Sequence, residues 1–200
     1  MSQTFNAKIN VERGRYAKLT ESGASDSYGA PKAMAGIQTM QVKPTMASAS
    51  MYGDGVKLDE VSEFVSAALE LTSAGESDET LAELGGHEYA DGQTDFGASD
   101  SAPFVGYGAI AKTRSKGAAG LQEGYRAYFL PKVKFSETED NLTAKNESMT
   151  YGGTTISATV FAPRMGKWKR TAFFSGVSAI ASAEAWLDEQ FDVPEMIEED

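Results

Sequence analysis

A mainly β fold, a sandwich or barrel of antiparallel strands, is what this chain predicts, and three observations predict it. The stretch Gly124–Phe135, GYRAYFLPKVKF, sets Tyr125, Ala127, Phe129, Pro131, Val133 and Phe135 at odd positions against Arg126, Tyr128, Leu130, Lys132 and Lys134 at even ones. A period of two marks a strand with one mostly apolar face and one more polar, basic face. Alternating stretches recur along the chain, separated by runs rich in Gly, Ser and Asp. Only one stretch between residues 14 and 174 has the spacing of a helix. At twelve residues the 124–135 strand is about twice the usual length. Pro131 cannot donate to a ladder, so the strand is expected to bulge there or to lie at an edge. An exposed edge of this length needs a partner.

The elements follow in order. Residues 1–13 are polar and without periodicity, the pattern of a flexible arm. Arg15–Thr20 alternates and reads as a strand, and ESGASDSYGAP after it reads as a loop. A second strand spans residues 34–44, and a short one covers Ser48–Gly55, ending in the turn signal YGDG. From Val56 to Thr72 the chain alternates again, with Val65, Ala67, Leu69 and Leu71 on one face. SAGESDETLAELGGH predicts a short helix. Ser77 is its N-cap, Asp78 and Glu79 complement the dipole, Leu81 and Leu84 face the core, and Gly85 or Gly86 stops it.

Residues 87–102 are expected as loop, Phe104–Thr113 as strand, and TRSKGAAGLQEG as a long hairpin tip leading into the 124–135 strand. Residues 137–153 form another exposed loop. Thr154–Phe161 sets Ile156, Ala158 and Val160 against Thr155, Ser157 and Thr159, and a last strand runs from Trp168 to Phe174. Ile180, Ala183, Leu187 and Phe191 give a short amphipathic helix, and the acidic DVPEMIEED after it is expected to be disordered or a docking arm.

Composition narrows the function. The chain has 200 residues and no Cys, which excludes a disulfide framework and a thiolate zinc site. No apolar leader and no run approaching a membrane span is present, so a soluble protein without a signal peptide or membrane partner is expected. A formal charge of −11 argues against wrapping nucleic acid through its phosphates. That charge is segregated: residues 54–100 carry thirteen acids against Lys57 alone, whereas residues 101–135 carry six basic residues against Glu123.

Catalytic signals are poor, and the chain is expected not to be an enzyme. His87 is the only histidine and stands beside a helix stop, where capping or packing is its ordinary role. Neither a Cys nucleophile nor a serine elbow accompanies it. Gly106-Tyr-Gly108-Ala-Ile-Ala111 matches a dinucleotide fingerprint loosely, but a strand end and a Gly-rich turn follow where a helix is required. Strand glycines packed under a neighbouring backbone are the better reading. Asp91, Asp95 and Asp100 lack EF-hand spacing, and the sequons at Asn141 and Asn146 match by pattern only. No catalytic residue, metal site or cofactor is expected.

Six pieces, in order, carry a resemblance: YAKLT and YGAPKAMAGI, then TMASASMYGDG, SAPFVGYGAIAKTRSKG, GYRAYFLPKVKFSE and TISATVFAPRMGKWKR. Their order and spacing over residues 14–172 resemble the major tail proteins of long, non-contractile-tailed bacteriophages. The resemblance implies a β-sandwich or partly open barrel with one short flanking helix and flexible N- and C-terminal arms. The arms would be residues 1–13 and 175–200, the latter with its acidic tail, around a β domain at 14–174. It also implies six copies per ring, stacked rings, and a lumen through which double-stranded DNA leaves the virion without specific binding. Tail-terminator, tape-measure and distal-tail proteins of the same virion would be its neighbours, and assembly would take place in the host cytoplasm. An immunoglobulin-like adhesive or decoration module is the alternative, since similar strand counts serve it. A small hydrolase or lyase on a β-sandwich is a third.

Within the tube reading, two residue sets stand out. Lys112, Arg114 and Lys116 on the basic hairpin are candidates for ring stacking against the acidic segment. A conduit for DNA should not grip phosphates, so an acidic or neutral polar wall is expected. Along residues 60–72 the odd face is largely apolar, leaving Glu60, Ser62, Ser66 and Glu70 on the even face as lumen candidates, with Phe64 the exception.

Overall fold

The computed structural model describes residues 5–22, 25–54, 56–117, 120–137, 153–163 and 167–192. Among them the strands are β1 (Phe5–Ser22), β2 (Ser25–Tyr28), β3 (Lys32–Met34), β4 (Ile37–Gly53), β5 (Val56–Ser73), β6 (Glu88–Ala90), β7 (Gln93–Asp95), β8 (Phe104–Gly117), β9 (Gly120–Phe135), β10 (Thr154–Phe161) and β11 (Arg170–Ser175). The helices are α1 (Asp78–Gly85) and α2 (Ala179–Asp192). The fold is mainly β, as the alternation predicts.

Nine strands form one antiparallel sheet in the order β2-β1-β8-β9-β10-β5-β4, with β3 also on β1 and β11 also on β9. β3 lies on the edge of β1 opposite to β8, since Arg15 pairs with both Ala33 and Gly108. Only Ala35 and Gly36 separate β3 from β4, at the far end of the sheet. The sheet therefore curls back on itself into a partly open barrel. Ser73 donates to the Ala35 carbonyl at 3.1 Å, and the Ala74 amide to the Gly36 carbonyl at 2.8 Å, which fixes this corner. Between β1 and β4 a groove of about 440 Å³ remains, lined by residues 10–15 and 33–37 with Glu184.

The barrel interior gathers Tyr16, Met34, Leu69, Leu71, Tyr107, Val133 and Ile156 among others. A second apolar cluster lies on the outer face of β8 and β9, where α2 lays Ala183, Leu187 and Phe191 over Ala17, Ile110, Ala127 and Phe129. Close approach needs the two glycines of the loose dinucleotide match. A Cβ at Gly106 would strike Tyr28 and Phe191, and one at Gly108 would strike Leu187. Burying a side chain such as Leu187 stabilises by about 1.5–3 kcal/mol. Arg13 and Arg15 on β1 pair with Glu184 and Asp188 on α2, adding polar contacts at its rim.

Several expectations change. Residues 5–13, expected as an arm, are strand: Phe5 pairs with Lys116 and Val11 with Ala111. Residues 179–192, expected within a C-terminal arm, are a helix packed into the body. Among the described residues two helices therefore flank the sheet, α1 as expected inside the 14–174 region and α2 beyond it. The supposed long tip TRSKGAAGLQEG is mostly ladder, because β8 and β9 pair down to Gly117 opposite Gly120. A polar, Gly-rich strand paired on both sides needs no apolar alternation to hold it. β4 is one continuous strand where two were expected. Pro44 sits within it because β4 is an edge strand, where a missing N–H leaves no ladder bond unmade. β2, β6 and β7 are short pairs inside stretches read as loop. The 138–152 segment with its two sequons and the acidic 193–200 tail lie outside the described residues.

The 124–135 strand bulges at Pro131, as one of its two expected alternatives had it. Val105 pairs with Val133 but Tyr107 with Leu130, leaving an extra residue on β9 opposite Gly106. The bulge divides the single apolar face that alternation suggested. Ala127 and Phe129 before it face α2, whereas Val133 and Phe135 after it face the barrel interior. From Gly124 to Phe135, among the described residues, β9 offers a partner no long free edge. Its second edge pairs with β11 over Gly124–Phe129 and with β10 over Val133–Phe135. Pro131 occupies the gap between them, where its carbonyl accepts the Tyr28 hydroxyl at 2.9 Å.

Candidate assembly surfaces

Among the described residues the longest free edge belongs to β4. β10 is eight residues long and pairs with β5 only over Ser66–Ser73. The rest of β5 has β4 as its sole strand partner among the described residues, in register from Phe64 opposite Met46 to Val56 opposite Gly53. This two-stranded ribbon outruns β10 by about 25 Å, at the usual rise of a strand. On it Met46, Met51, Val56, Leu58, Val61 and Val65 are all about half exposed or more, Leu58 reaching 62%. Such apolar exposure on a projecting ribbon with an unpaired edge is what sequence reasoning missed. The sequence carried only the apolar residues of β5 continuing back to Val56; that they stay uncovered is set by the register of β10.

A second bulge corrects the lumen candidates. Thr45 pairs with Ser66 and Met46 with Phe64, so Val65 is the extra residue and alternation reverses across it. Beyond the bulge Glu60 and Ser62 share a face with Phe64, which turns toward the core and stacks on Trp168 with centroids 4.4 Å apart. Within the barrel the odd residues Ala67, Leu69 and Leu71 are buried, which leaves Ser66 and Glu70 on the outer face. The four candidates therefore do not line one surface. Phe64 was the exception on the even face because the face itself changes there. Register puts Ser48 and Ser50 beside Ser62 and Glu60, and Ala47, Ala49 and Met51 beside Glu63, Val61 and Asp59. One side of the ribbon is thus hydroxyl-rich, and the other mixes apolar and acidic groups. Lys57 pairs with Glu60 at 2.5 Å and Lys43 with Glu70 at 3.4 Å, so neither candidate carboxylate is free of a cation.

At the basic hairpin, Lys112 and Arg114 converge on one carboxylate: Lys112 Nζ is 2.7 Å and Arg114 Nη2 3.5 Å from Glu123. The Lys112 hydrogen bond holds the Glu123 carboxyl below the usual range and, in return, raises the Lys112 ammonium. Two cations against one anion leave a basic excess, smaller than the sequence segregation alone suggests. Lys116 pairs in register with Phe5 on one side and Leu121 on the other.

α1 is anchored where α1, β1 and β3 meet. Ser77 caps it by accepting the Thr80 amide, and Gly86 ends it in the left-handed region at φ 80°. Glu83 accepts the Tyr16 hydroxyl at 2.7 Å and pairs with Lys32 at 2.7 Å and Lys18 at 3.2 Å. Burial alone would raise its pKa, but these three donors together bring it below the ordinary carboxylate range. Tyr16 is raised, by burial first and then by the Glu83 carboxylate.

Beside α1 lies a cavity of about 810 Å³ whose lining includes Glu76, Asp78, His87, Phe96 and Glu137. His87 Nδ1 is hydrogen-bonded to Asp100 at 2.8 Å, and Nε2 lies within ion-pair distance, 3.2 Å, of Glu137. Among the described residues no group of three or more His, Asp or Glu side chains is placed to hold a metal ion. Asp91, Asp95 and Asp100 are not brought together. No protein-family model matches the chain, and no curated protein matches it either.

Proposed function

We propose that this chain is a structural subunit of a tail tube of the phage type, building stacked rings whose lumen conducts double-stranded DNA. The observation that carries the reading is the β4–β5 ribbon. Six large exposed apolar side chains beside an unpaired strand edge are an aggregation hazard unless another surface covers them. A repeating, self-complementary assembly covers them on every copy. The sixfold ring comes from the sequence resemblance alone. In this reading the hydroxyl-rich side of the ribbon, with Ser62 and Glu60, is the surface suited to DNA that must pass without being held, and the apolar side meets protein. Ring stacking joins the acidic ribbon to the basic end of β8, with Lys112 and Arg114 in front. The chain acts in the virion tail, is assembled in the host cytoplasm beside the terminator, tape-measure and distal-tail proteins, and performs no catalysis.

Electron microscopy of the purified protein across a concentration series is the test. Rings and tubes are expected. A uniform monomer at high concentration would favour the adhesive or decoration module, for which the same ribbon would be a sticky patch for a foreign surface.

A further inference from the structure

β1, β8, β9 and β11 carry a second set of cations, on the face that continues the barrel interior and away from α2. Register places them there. Ala109 is buried inside the barrel, and Thr113, two alternations further along β8, pairs with Lys8 on β1 and Gly124 on β9. Ala109 itself pairs with Tyr128, and Ala111 with Arg126. Each aromatic ring here has a cation against it. Lys8 Nζ lies 5.3 Å from the centre of the Tyr128 ring, Arg126 Cζ 5.8 Å from that of Phe173, and Lys169 Nζ 5.0 Å from that of Trp168. Phe173 is 44% exposed and leans over Gly124, where a Cβ would meet its ring at 2.8 Å. These six side chains make one basic, aromatic surface.

No described residue neutralises it. Lys8, Arg126 and Lys169 have no carboxylate partner among the described residues, whereas Lys112 and Arg114, on the α2 side of the same strands, share Glu123. Glu12 pairs in register with Ile110, so it too stands on the α2 side. Beneath the cations, the hydroxyls of Thr113 and Tyr128 are buried with no hydrogen-bond partner among the described residues. Three unpaired cations, two idle hydroxyls and an exposed ring suit an occupant that is acidic and partly apolar.

The β4–β5 ribbon carries that complement, on the side its own chain cannot use. Asp59, Val61 and Glu63 share one side of it with Met51, and Val61 and Met51 are both more than half exposed. Neither Asp59 nor Glu63 has a cation partner among the described residues, unlike Glu60 beside Lys57. Phe64, on the opposite side, is the residue that turns toward the barrel interior. A copy therefore cannot lay its acidic side on its own cations. We infer that the basic, aromatic face of β1, β8, β9 and β11 seats the Asp59–Val61–Glu63 side of a second copy's ribbon. The two carboxylates stand about 13 Å apart along the strand, so they engage separate cations, and Val61 between them meets the rings. Lys112 and Arg114 steer the approach from the other face of the same strands. The inference rests on the reading that copies associate through the ribbon, and it names what the ribbon meets.

Charge exchange tests it. Lys8→Glu with Lys169→Glu reverses two exposed cations of the seat, and Asp59→Lys with Glu63→Lys reverses the ribbon. Sedimentation velocity over a concentration series at low salt reads the concentration at which each variant assembles. Each pair should raise it by about tenfold or more, and all four changes in one chain should return it to within about threefold of the parent, as coupled interfacial charges require. Such recovery cannot come from a misfolded chain. A Lys8/Lys169 variant that assembles as the parent does, or a fourfold variant as weak as either pair, overturns the seat and leaves the tube reading standing. A labelled DNA oligonucleotide held by the parent and lost by the Lys8/Lys169 variant, with assembly unchanged, would assign the face to phosphates and overturn it as well. A parent protein that stays monomeric removes the tube reading and the seat together.

Discussion

Phe64 and Trp168 stack face to face, their ring planes 5° apart, where the β4–β5 ribbon leaves the barrel. Phe64 is the last residue of β5 in that direction to be partly buried; every described position of β5 beyond it is exposed. The stack is the ribbon's root, so Trp168→Ala should release it. An aromatic pair of this geometry contributes about 0.5–1.5 kcal/mol beyond its burial. A loss of about 1–2 kcal/mol in chemical denaturation is expected, with faster proteolysis between residues 46 and 63. Unchanged cleavage there would mean the ribbon is held by its own ladder.

The apolar side of the ribbon should matter to assembly and not to the fold. Met51→Ser with Val61→Ser changes two exposed side chains, and exposed substitutions ordinarily shift stability by no more than about 0.5 kcal/mol. Folding should be preserved while rings or tubes disappear from micrographs. Normal tubes from this double variant would show that the apolar face stays in solvent.

Assembly should slow as salt rises, since opposed charges steer encounter and are screened over about 8 Å at physiological ionic strength. Lys112→Ala with Arg114→Ala strands Glu123 and removes the net positive charge of this end. The variant should assemble more slowly at low salt and lose most of the salt dependence. A rate that is flat with ionic strength in the parent protein removes any electrostatic part from stacking.

Glu83 sets an acid limit. Its carboxyl is depressed in the folded state, so its contribution is present above the ordinary carboxylate pKa of about 4.3 and lost as pH falls through the lower folded value. Glu83→Gln should therefore lower the urea midpoint at pH 7 and converge with the parent protein as the carboxyl becomes protonated in acid. A difference that persists unchanged into acid would assign the effect to packing of α1 and not to charge.

The Ser77 cap, the Gly86 stop, the 154–161 alternation and the buried stripe Ala183–Leu187–Phe191 were legible in the sequence. Each rests on local sterics, one hydrogen bond, or a period that a single element sets by itself. Mainly β architecture followed for the same reason, from many short-range alternations agreeing.

Pairing decided the rest, and pairing is not local. The bulges at Pro131 and Val65 exist because β9 must match β8 and β5 must match β4, and each reverses which residues face the core. One extra residue separates Glu60 and Ser62 from Ser66 and Glu70, which is why a single even face could not survive folding. Residues 5–13 show no periodicity, yet they are strand because β8 offers an edge. The sequence by itself determined the class of the fold, the N-cap of α1, the apolar stripe of α2 and the absence of thiol chemistry. Only the tertiary structure decided which edge is open and which apolar residues remain uncovered, because β10 stops after eight residues while β4 and β5 run on.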